Sequence, residues 1–149
     1  MTPLNTDAVT AELQPLLVEL IDLSLTGKQA HWNVTGPQFL PIHRQLDELV
    51  TDVRTWADDV AERIQAVGGS ADGRSTTVAE TSPIETFPSG PVPGDKVVAL
   101  VVERLDQIVA ATRPRIDRLD ATDLVSQDLV ISVVAGLEKH RWMFSTQYA

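Results

Sequence analysis

The chain has 149 residues, of which 43% are apolar and none is cysteine, and its formal net charge is −9. This length and apolar content fit a single domain over residues 1–149 with a real hydrophobic core, and the lack of cysteine excludes disulfides, thiolate metal sites and cysteine nucleophiles. The acidic balance argues against strong binding to nucleic acid or to an anionic membrane. Because no apolar run is long enough to span a membrane and the start lacks a signal-peptide pattern, we expect a cytoplasmic protein without membrane contact.

The first two predicted elements are long helices separated by the helix-breaking pair Gly36-Pro37. The first helix is predicted from about Thr6 to Asn33, because apolar or small residues recur on one face at helical spacing. The second is predicted from about Gln38 to Val67, where Gly68-Gly69 ends it as a left-handed cap would. The two helices are therefore expected to form a hairpin.

Residues 70–94 interrupt the helical pattern and are rich in Ser, Thr, Pro and Gly. Such a long connection is typical of a crossover between distant helices, and one short helix is predicted within it near Val78–Glu85. A third helix is predicted from about Asp95 to Leu119, with Pro114 kinking or fraying its end, and a fourth from about Ala121 to Gln147. No segment has a strand pattern of weight. Two hairpins joined by one crossover predict an all-α, ferritin-like four-helix bundle with a short extra helix between helices two and three.

The second helix carries two pairs of metal-ligating side chains, and the members of each pair are one helical turn apart. The pairs are His43 with Asp47 and Asp58 with Glu62. At this spacing two side chains share a helix face, with Cβ atoms roughly 6 Å apart, and could chelate one ion. All four lie opposite the apolar stripe of the helix, so we expect them to face solvent or a partner. The plainer alternative is a solvated polar face on which Arg44 or Arg54 pairs with the carboxylates.

The spacing of the two pairs indicates a site shared between two chains. Asp47 and Asp58 are eleven residues apart, which gives them nearly the same azimuth but separates them by about 16 Å along one helix. A two-fold axis midway between them would pack the helix antiparallel against its own copy. Asp47 would then face Asp58 of the partner subunit, and His43 would face Glu62 of the partner subunit. One symmetric interface satisfies both pairs and predicts two equivalent sites per dimer.

His31, near the end of the first helix, is separated from His43 by the predicted turn and could complete each site. Mixed imidazole and carboxylate ligands suit Fe(II), Mn(II) or Zn(II), whereas structural zinc sites favour cysteine. A partly open, carboxylate-rich site suits iron that changes oxidation state. The usual ferritin arrangement is excluded, because it needs Glu-x-x-His motifs and none occurs. His140 lies on an apolar stripe of the fourth helix, so we interpret it as a core or interface histidine.

These residues resemble the Dps family, the mini-ferritins named as DNA-binding proteins from starved cells. The resemblance covers about residues 5–147, and its spacing pattern, His-x11-His-x3-Asp-x10-Asp-x3-Glu, is highly specific. The residues that carry it are His31-Trp32-Asn33-Val34, Gly36-Pro37, His43, Asp47, Asp58, Glu62-Arg63, Gly68-Gly69 and Glu138-Lys139-His140-Arg141-Trp142. Every ligand position matches the family pattern.

The resemblance implies a homo-oligomer, a hollow dodecamer built from two-fold dimers, with ferroxidase centres at the dimer interfaces. The ligands of each centre would be His31, His43 and Asp47 from one chain and Asp58 and Glu62 from the other. Members of the family oxidise Fe(II), often with hydrogen peroxide in preference to oxygen, and store the ferric mineral inside. This chemistry keeps Fe(II) and peroxide from generating hydroxyl radicals.

The resemblance also implies roles for residues outside the ligand set. Trp32 would lie beside the centre and take up stray oxidising equivalents, or it would be an aromatic residue packed at a dimer contact. Acidic residues around the start of the fourth helix would line three-fold pores that admit iron, and the candidates are Asp120, Asp123 and Asp128. Asp123 could instead cap that helix.

DNA binding is where this chain departs from the family pattern. No Lys or Arg precedes Lys28 and none follows Arg141, so we expect this chain not to bind DNA through the lysine-rich tails that DNA-condensing members use. The one basic cluster comprises Arg113, Arg115 and Arg118. Acidic residues interleave with it, so we interpret it as a solvated face and expect weak or absent DNA binding at physiological salt. Two alternatives remain: a nucleoid protein that coats DNA with secondary iron chemistry, and a structural bundle without metal.

Overall fold

Four long helices form a bundle in the computed structural model, which describes residues 3–148. In chain order the elements are α1 (Thr6–Asn33), β1 (Val34–Thr35), α2 (Phe39–Ala66), α3 (Ser75–Thr81), β2 (Val92–Pro93), α4 (Gly94–Asp120) and α5 (Leu124–Thr146). Helix α1 packs against α2 and α4 against α5, and the chain between α2 and α4 crosses from one hairpin to the other. The all-α four-helix bundle with a short extra helix in its crossover is therefore as predicted.

The α1–α2 hairpin follows the sequence prediction closely. The bounds of α1 are those predicted, and those of α2 differ by one residue at each end. Gly36 turns the chain with a φ of 106°, a left-handed conformation that glycine adopts most readily. Beyond α2, Gly68 has a φ of 88°, and the amide of Gly69 donates to the carbonyl of Ile64 at 2.9 Å. The predicted left-handed cap is confirmed.

The short helix in the crossover lies earlier than predicted. It spans Ser75–Thr81 rather than the region near Val78–Glu85. Pro83 explains the difference, because a proline disfavours the helical conformation of the residue before it. Ser82 is accordingly extended, with a ψ of 128°.

The crossover is held to the bundle by backbone pairing and by a buried side chain. Strands β1 and β2 pair in parallel, with Val34 opposite Val92, and tie the end of α1 to the start of α4. The sequence showed no strand pattern, so these two strands were not predicted. Each has only two residues, which is too short to show an alternating pattern of apolar and polar side chains. The guanidinium of buried Arg104 donates to the carbonyls of Glu85 and Thr86, at 2.9 and 3.3 Å. The long connection is thus an ordered part of the fold.

The α4–α5 hairpin departs from the prediction at its turn. Helix α4 runs unbroken through Pro114, so the proline does not fray its end. Pro114 is exposed, whereas Arg115 in the next position is buried, so packing holds the last turns in place. Helix α5 begins at Leu124 rather than near Ala121, because Asp123 caps it through its side chain.

The bundle interior is made from the apolar faces of the long helices. The largest fully buried side chains are Phe144, Leu13, Leu16, Leu20, Leu23, Ile42, Leu46, Leu49, Ile64, Leu105, Ile108 and Leu119. Helices α1 and α2 approach closely at Gly27, where a Cβ atom would lie 2.6 Å from Cγ2 of Val50. Within residues 3–148, no helix combines the length and the apolar character that crossing a membrane requires.

Candidate metal centre

Two of the three histidines stack where α1 ends and α2 begins. The ring centroids of His31 and His43 are 3.6 Å apart, and the ring planes are 12° from parallel. His31 is buried and His43 is half-buried. The expectation that all four α2 ligands face away from the core is therefore wrong for His43, because its ring packs against that of His31. The predicted closeness of the two histidines is confirmed.

Each ring hydrogen-bonds the backbone of the other residue. Nδ1 of His31 lies 2.6 Å from the carbonyl oxygen of His43, and Nδ1 of His43 lies 2.7 Å from the carbonyl oxygen of His31. A carbonyl oxygen can only accept, so Nδ1–H is the donor in both rings. Each neutral ring then carries its free lone pair on Nε2, which is the form that ligates a metal ion.

Asp47 lies one helical turn beyond His43 and brings a carboxylate to the histidine pair. Its Oδ1 is 4.0 Å from Nε2 of His31. The same carboxylate accepts a hydrogen bond from the ammonium group of Lys28. This hydrogen bond, together with the charge of Lys28, holds the pKa of Asp47 below its usual 3.8. The cation that pairs with Asp47 in the described chain is thus Lys28 rather than either arginine suggested by the sequence.

Asp58 and Glu62 lie on the same helix as Asp47 but far from the histidines. Both are exposed, and about 16 Å of helix separates Asp58 from Asp47. Within residues 3–148, no group of three or more His, Asp or Glu side chains is placed to hold a metal ion. One chain brings His31, His43 and Asp47 near one another and leaves Asp58 and Glu62 apart from them. The five predicted ligands can meet at one ion only if a second chain contributes.

Trp32 follows the buried His31 at the end of α1 and is itself 68% exposed. A large aromatic side chain in this position is open both to solvent and to any partner that covers the end of α1. Its exposure is compatible with both predicted roles, the uptake of oxidising equivalents and packing at a dimer contact.

Among the three predicted pore residues, Asp123 is the one engaged in capping α5. Its carboxylate accepts from the amide of Ser126 at 3.1 Å and from Nη2 of Arg63 at 2.7 Å. Burial would raise the pKa of Asp123, but the hydrogen bonds from Ser126 and Arg63 outweigh it and hold that pKa below its usual 3.8. The capping alternative for Asp123 is confirmed. Asp120 and Asp128 are exposed and remain pore candidates.

His140 is a core histidine, in agreement with its place on an apolar stripe. It is 4% exposed, and its Nε2 lies 2.6 Å from Oδ2 of Asp52 on α2. Its ring meets Trp56 edge to face, with centroids 6.0 Å apart. The contact with Asp52 joins residues 88 positions apart, so no local sequence pattern could reveal it.

The basic cluster of α4 forms ion pairs, and the solvated face expected from the sequence holds for the exposed Arg113 and Arg118 but not for Arg115. The pairs are Arg113 with Glu138, Arg115 with Glu19 and Arg118 with Glu12. Arg115 and Glu19 are both buried, and Nη2 of the arginine donates to Oε1 of the glutamate at 2.9 Å. The burial of Arg115 was not predicted because only neighbours on α4 were weighed, whereas its partner Glu19 comes from α1.

Comparison with known proteins identifies the family. The family model described as Ferritin-like domain matches residues 10–149. A DNA protection during starvation protein from Mycolicibacterium smegmatis is 38% identical over 133 residues, which span 87% of this chain and 71% of that protein. The chain belongs to the Dps family. A fine tangled pili major subunit from Haemophilus ducreyi is also similar, with 33% identity over 90% of this chain and 71% of that protein.

The Dps fold extends over nearly the whole chain. The solved structure of Dps from Microbacterium arborescens in the high iron form has a TM-score of 0.93 and 35% sequence identity, and the match covers 99% of this chain and 96% of that chain. The ferritin-like architecture predicted from the helix pattern is confirmed. The α1–α2 turn that positions the histidine pair is therefore part of an architecture shared with Dps proteins.

Proposed function

We propose that this Dps chain is a ferroxidase that stores iron. Fe(II) binds at centres between subunits, is oxidised by hydrogen peroxide or oxygen, and is kept as ferric mineral inside a hollow dodecamer in the cytoplasm. Membership of the Dps family supports the general role in iron storage and in protection against oxidative damage. Iron is the substrate and the stored product in this proposal.

The observation that carries the proposal is the histidine pair with its fixed tautomers. The reciprocal bonds from Nδ1 to the two carbonyls leave Nε2 of His31 and of His43 as the ligating atoms. The carboxylate of Asp47 approaches the same Nε2 of His31. Two imidazole lone pairs and a nearby carboxylate are ligand types that a divalent transition-metal ion takes, and the partner subunit would supply the remaining ligands.

The second half of the proposed centre comes from a two-fold partner. Antiparallel packing of α2 against its copy sets Asp47 opposite Asp58 of the partner subunit and His43 opposite Glu62 of the partner subunit. The exposure of Asp58 and Glu62 leaves both free to make this contact. Each dimer then contains two equivalent centres, as an isologous interface requires.

The ligand set suits the oxidation of ferrous to ferric iron. Carboxylate oxygens are hard anionic ligands, so they stabilise Fe(III) more than Fe(II) and favour loss of the electron. Each peroxide needs two electrons and two protons to become two waters, and each Fe(II) supplies one electron. Full reduction of one peroxide to two waters therefore consumes two ferrous ions, whereas transfer of a single electron from one ferrous ion would release a hydroxyl radical.

Exposed carboxylates around the turn between α4 and α5 support a route for iron uptake. Asp120 and Asp128 are the carboxylates proposed to line the pores, since Asp123 is engaged with Arg63 and Ser126.

The surface charge does not favour DNA binding. The three arginines of the α4 cluster are paired with glutamates, and the chain carries a net charge of −9. We therefore propose weak or absent DNA binding, because phosphate binding needs clustered, available cations.

A pair of neighbouring aspartate variants tests the proposed function. Asp58→Ala removes a ligand, and Asp59→Ala removes the next carboxylate, which points about 100° around the helix and lines the cleft between α2 and α5. With limiting Fe(II) and peroxide, we expect Asp58→Ala to slow ferric ion formation by at least about tenfold. Asp59→Ala should oxidise iron at the wild-type rate, and both variants should keep the wild-type assembled mass. Full activity in Asp58→Ala would exclude the site.

A further inference from the structure

Lys28 places an ammonium group inside the proposed metal centre. It lies on α1 one turn before His31, and its side chain is 24% exposed. Its Nζ donates to Oδ1 of Asp47, and that oxygen is also 4.0 Å from Nε2 of His31. The ammonium and the imidazole lone pair thus approach the same carboxylate oxygen. Neither the Dps spacing pattern nor the ligand set includes this lysine.

A lysine in this place cannot act as a metal ligand while it is charged. Its ammonium has three donors and no acceptor, so it can neutralise a carboxylate but cannot coordinate a cation. A divalent ion bound to Asp47 and His31 would repel the ammonium strongly at a separation of about 4–5 Å. Lysine and metal therefore compete for Asp47.

The proposed dimer gives the ammonium a second anionic neighbour. In that packing, Asp47 faces Asp58 of the partner subunit, so two carboxylates meet across the interface. Like charges in contact destabilise an interface when no cation lies between them. Lys28 is a half-buried cation already bound to one of these carboxylates.

We propose that Lys28 is a place-holding cation, whose ammonium neutralises Asp47 and Asp58 of the partner subunit in the metal-free assembly and must be displaced by the first ferrous ion. This inference rests on the proposed ferroxidase centre. Removal of the lysine charge then has two effects of opposite sign. It strengthens metal binding and weakens the metal-free assembly, whereas a lysine with only a structural role would not strengthen metal binding.

Three substitutions of lysine test this on the intact assembly. Lys28→Gln removes the charge and keeps a hydrogen-bond donor. Lys28→Arg keeps the charge on a planar guanidinium, which can donate hydrogen bonds to both oxygens of a carboxylate. Lys96→Gln is the matched control, because Lys96 is exposed in the first turn of α4. Calorimetry with Co(II), a redox-stable probe for Fe(II), gives the dissociation constant without any oxidation step.

From tightest to weakest, the expected order of Co(II) binding is Lys28→Gln, wild type and Lys28→Arg. We expect Lys28→Gln to bind about tenfold more tightly than wild type, since a cation close to the metal is lost. Lys28→Arg should bind several-fold more weakly, and Lys96→Gln should match wild type. The metal-free Lys28→Gln assembly should also unfold at a lower temperature than the wild type. Addition of Co(II) should raise its unfolding temperature by more than it raises that of the wild type.

The outcomes separate this inference from the proposed function. If wild type binds Co(II) and Lys28→Gln binds it equally or more weakly, the place-holding role is overturned while the ferroxidase centre stands. If wild type binds neither Co(II) nor Fe(II), both fail together. Should Lys28→Gln not assemble, the Lys28→Arg comparison decides, because an affinity equal to or above that of wild type would overturn the competition.

Discussion

At the scale of single residues, the proposed centre depends on which ring nitrogen of each histidine carries the proton. His31 and His43 donate from Nδ1 to backbone carbonyls. His140 is the opposite case, because its Nε2 faces the carboxylate of Asp52, an acceptor. The same residue type thus presents a free Nε2 lone pair at the α1–α2 turn and an Nε2 hydrogen bond to a carboxylate in the bundle.

This difference predicts a pattern of histidine tautomers in the metal-free protein. Nitrogen-15 spectra of histidine-labelled protein above neutral pH should show two rings with the proton on Nδ1 and bare Nε2. The third ring should be protonated at Nε2. Addition of Zn(II) should shift the bare Nε2 signals of His31 and His43 and leave His140 unchanged.

Substitution of each histidine in turn assigns the signals. His140→Gln should remove the ring that zinc does not perturb. If His31 or His43 carried its proton on Nε2, the ring would present no lone pair toward Asp47. That result would remove the main support for the centre.

At the scale of helices, apolar periodicity fixes the long elements, and contacts between distant residues fix their ends. The bounds of α1 could be predicted because Gly36 stops a strong periodic pattern. The start of α5 depends on Asp123, which binds Arg63 from α2 as well as its own helix. The parallel pairing of Val34 with Val92 had no sequence signal, since each strand has only two residues.

The capping of α5 leads to a prediction about stability. Asp123→Ala removes the acceptor of two helix amides and the partner of Arg63, so we expect it to destabilise the fold by about 1–2 kcal/mol. In a chain of this size that corresponds to a fall in the unfolding midpoint of about 2–8 °C. Asp117→Ala, which removes an exposed carboxylate from α4, is the matched control for charge. Equal midpoints for the two variants would contradict the capping role.

The same pair of proteins should show a defined pH dependence. Because the folded-state pKa of Asp123 lies below the usual 3.8, its stabilising contribution is fully present above that value and is lost as the pH falls through the folded pKa. The difference in unfolding free energy between wild type and Asp123→Ala should therefore be constant near neutral pH and shrink below about pH 4. A difference in unfolding free energy that grows as the pH falls would contradict a lowered pKa of Asp123 in the folded protein.

At the scale of the whole molecule, the proposed ligands would be divided between subunits, and this division is a prediction from sequence spacing. Asp47 and Asp58 are too far apart on one straight helix to share an ion, so a copy of α2 was needed in the prediction. Lys28 was missed because it belongs to no ligand pattern, and its contact with Asp47 appears only when α1 is placed against α2. The ion pair of Arg115 with Glu19 was missed for the same reason, since its partners are 96 positions apart.

The most direct test of a shared centre is the activity of mixed assemblies. His43→Ala and Asp58→Ala each disable both centres of their own dimer, but a mixed dimer regains one intact centre from the unaltered halves of its two chains. After dissociation and reassembly in equal amounts, random pairing should restore about one quarter of the wild-type rate of peroxide-driven Fe(II) oxidation. If each centre were built within one chain, the mixture would be no more active than either variant alone, and that result would contradict the account.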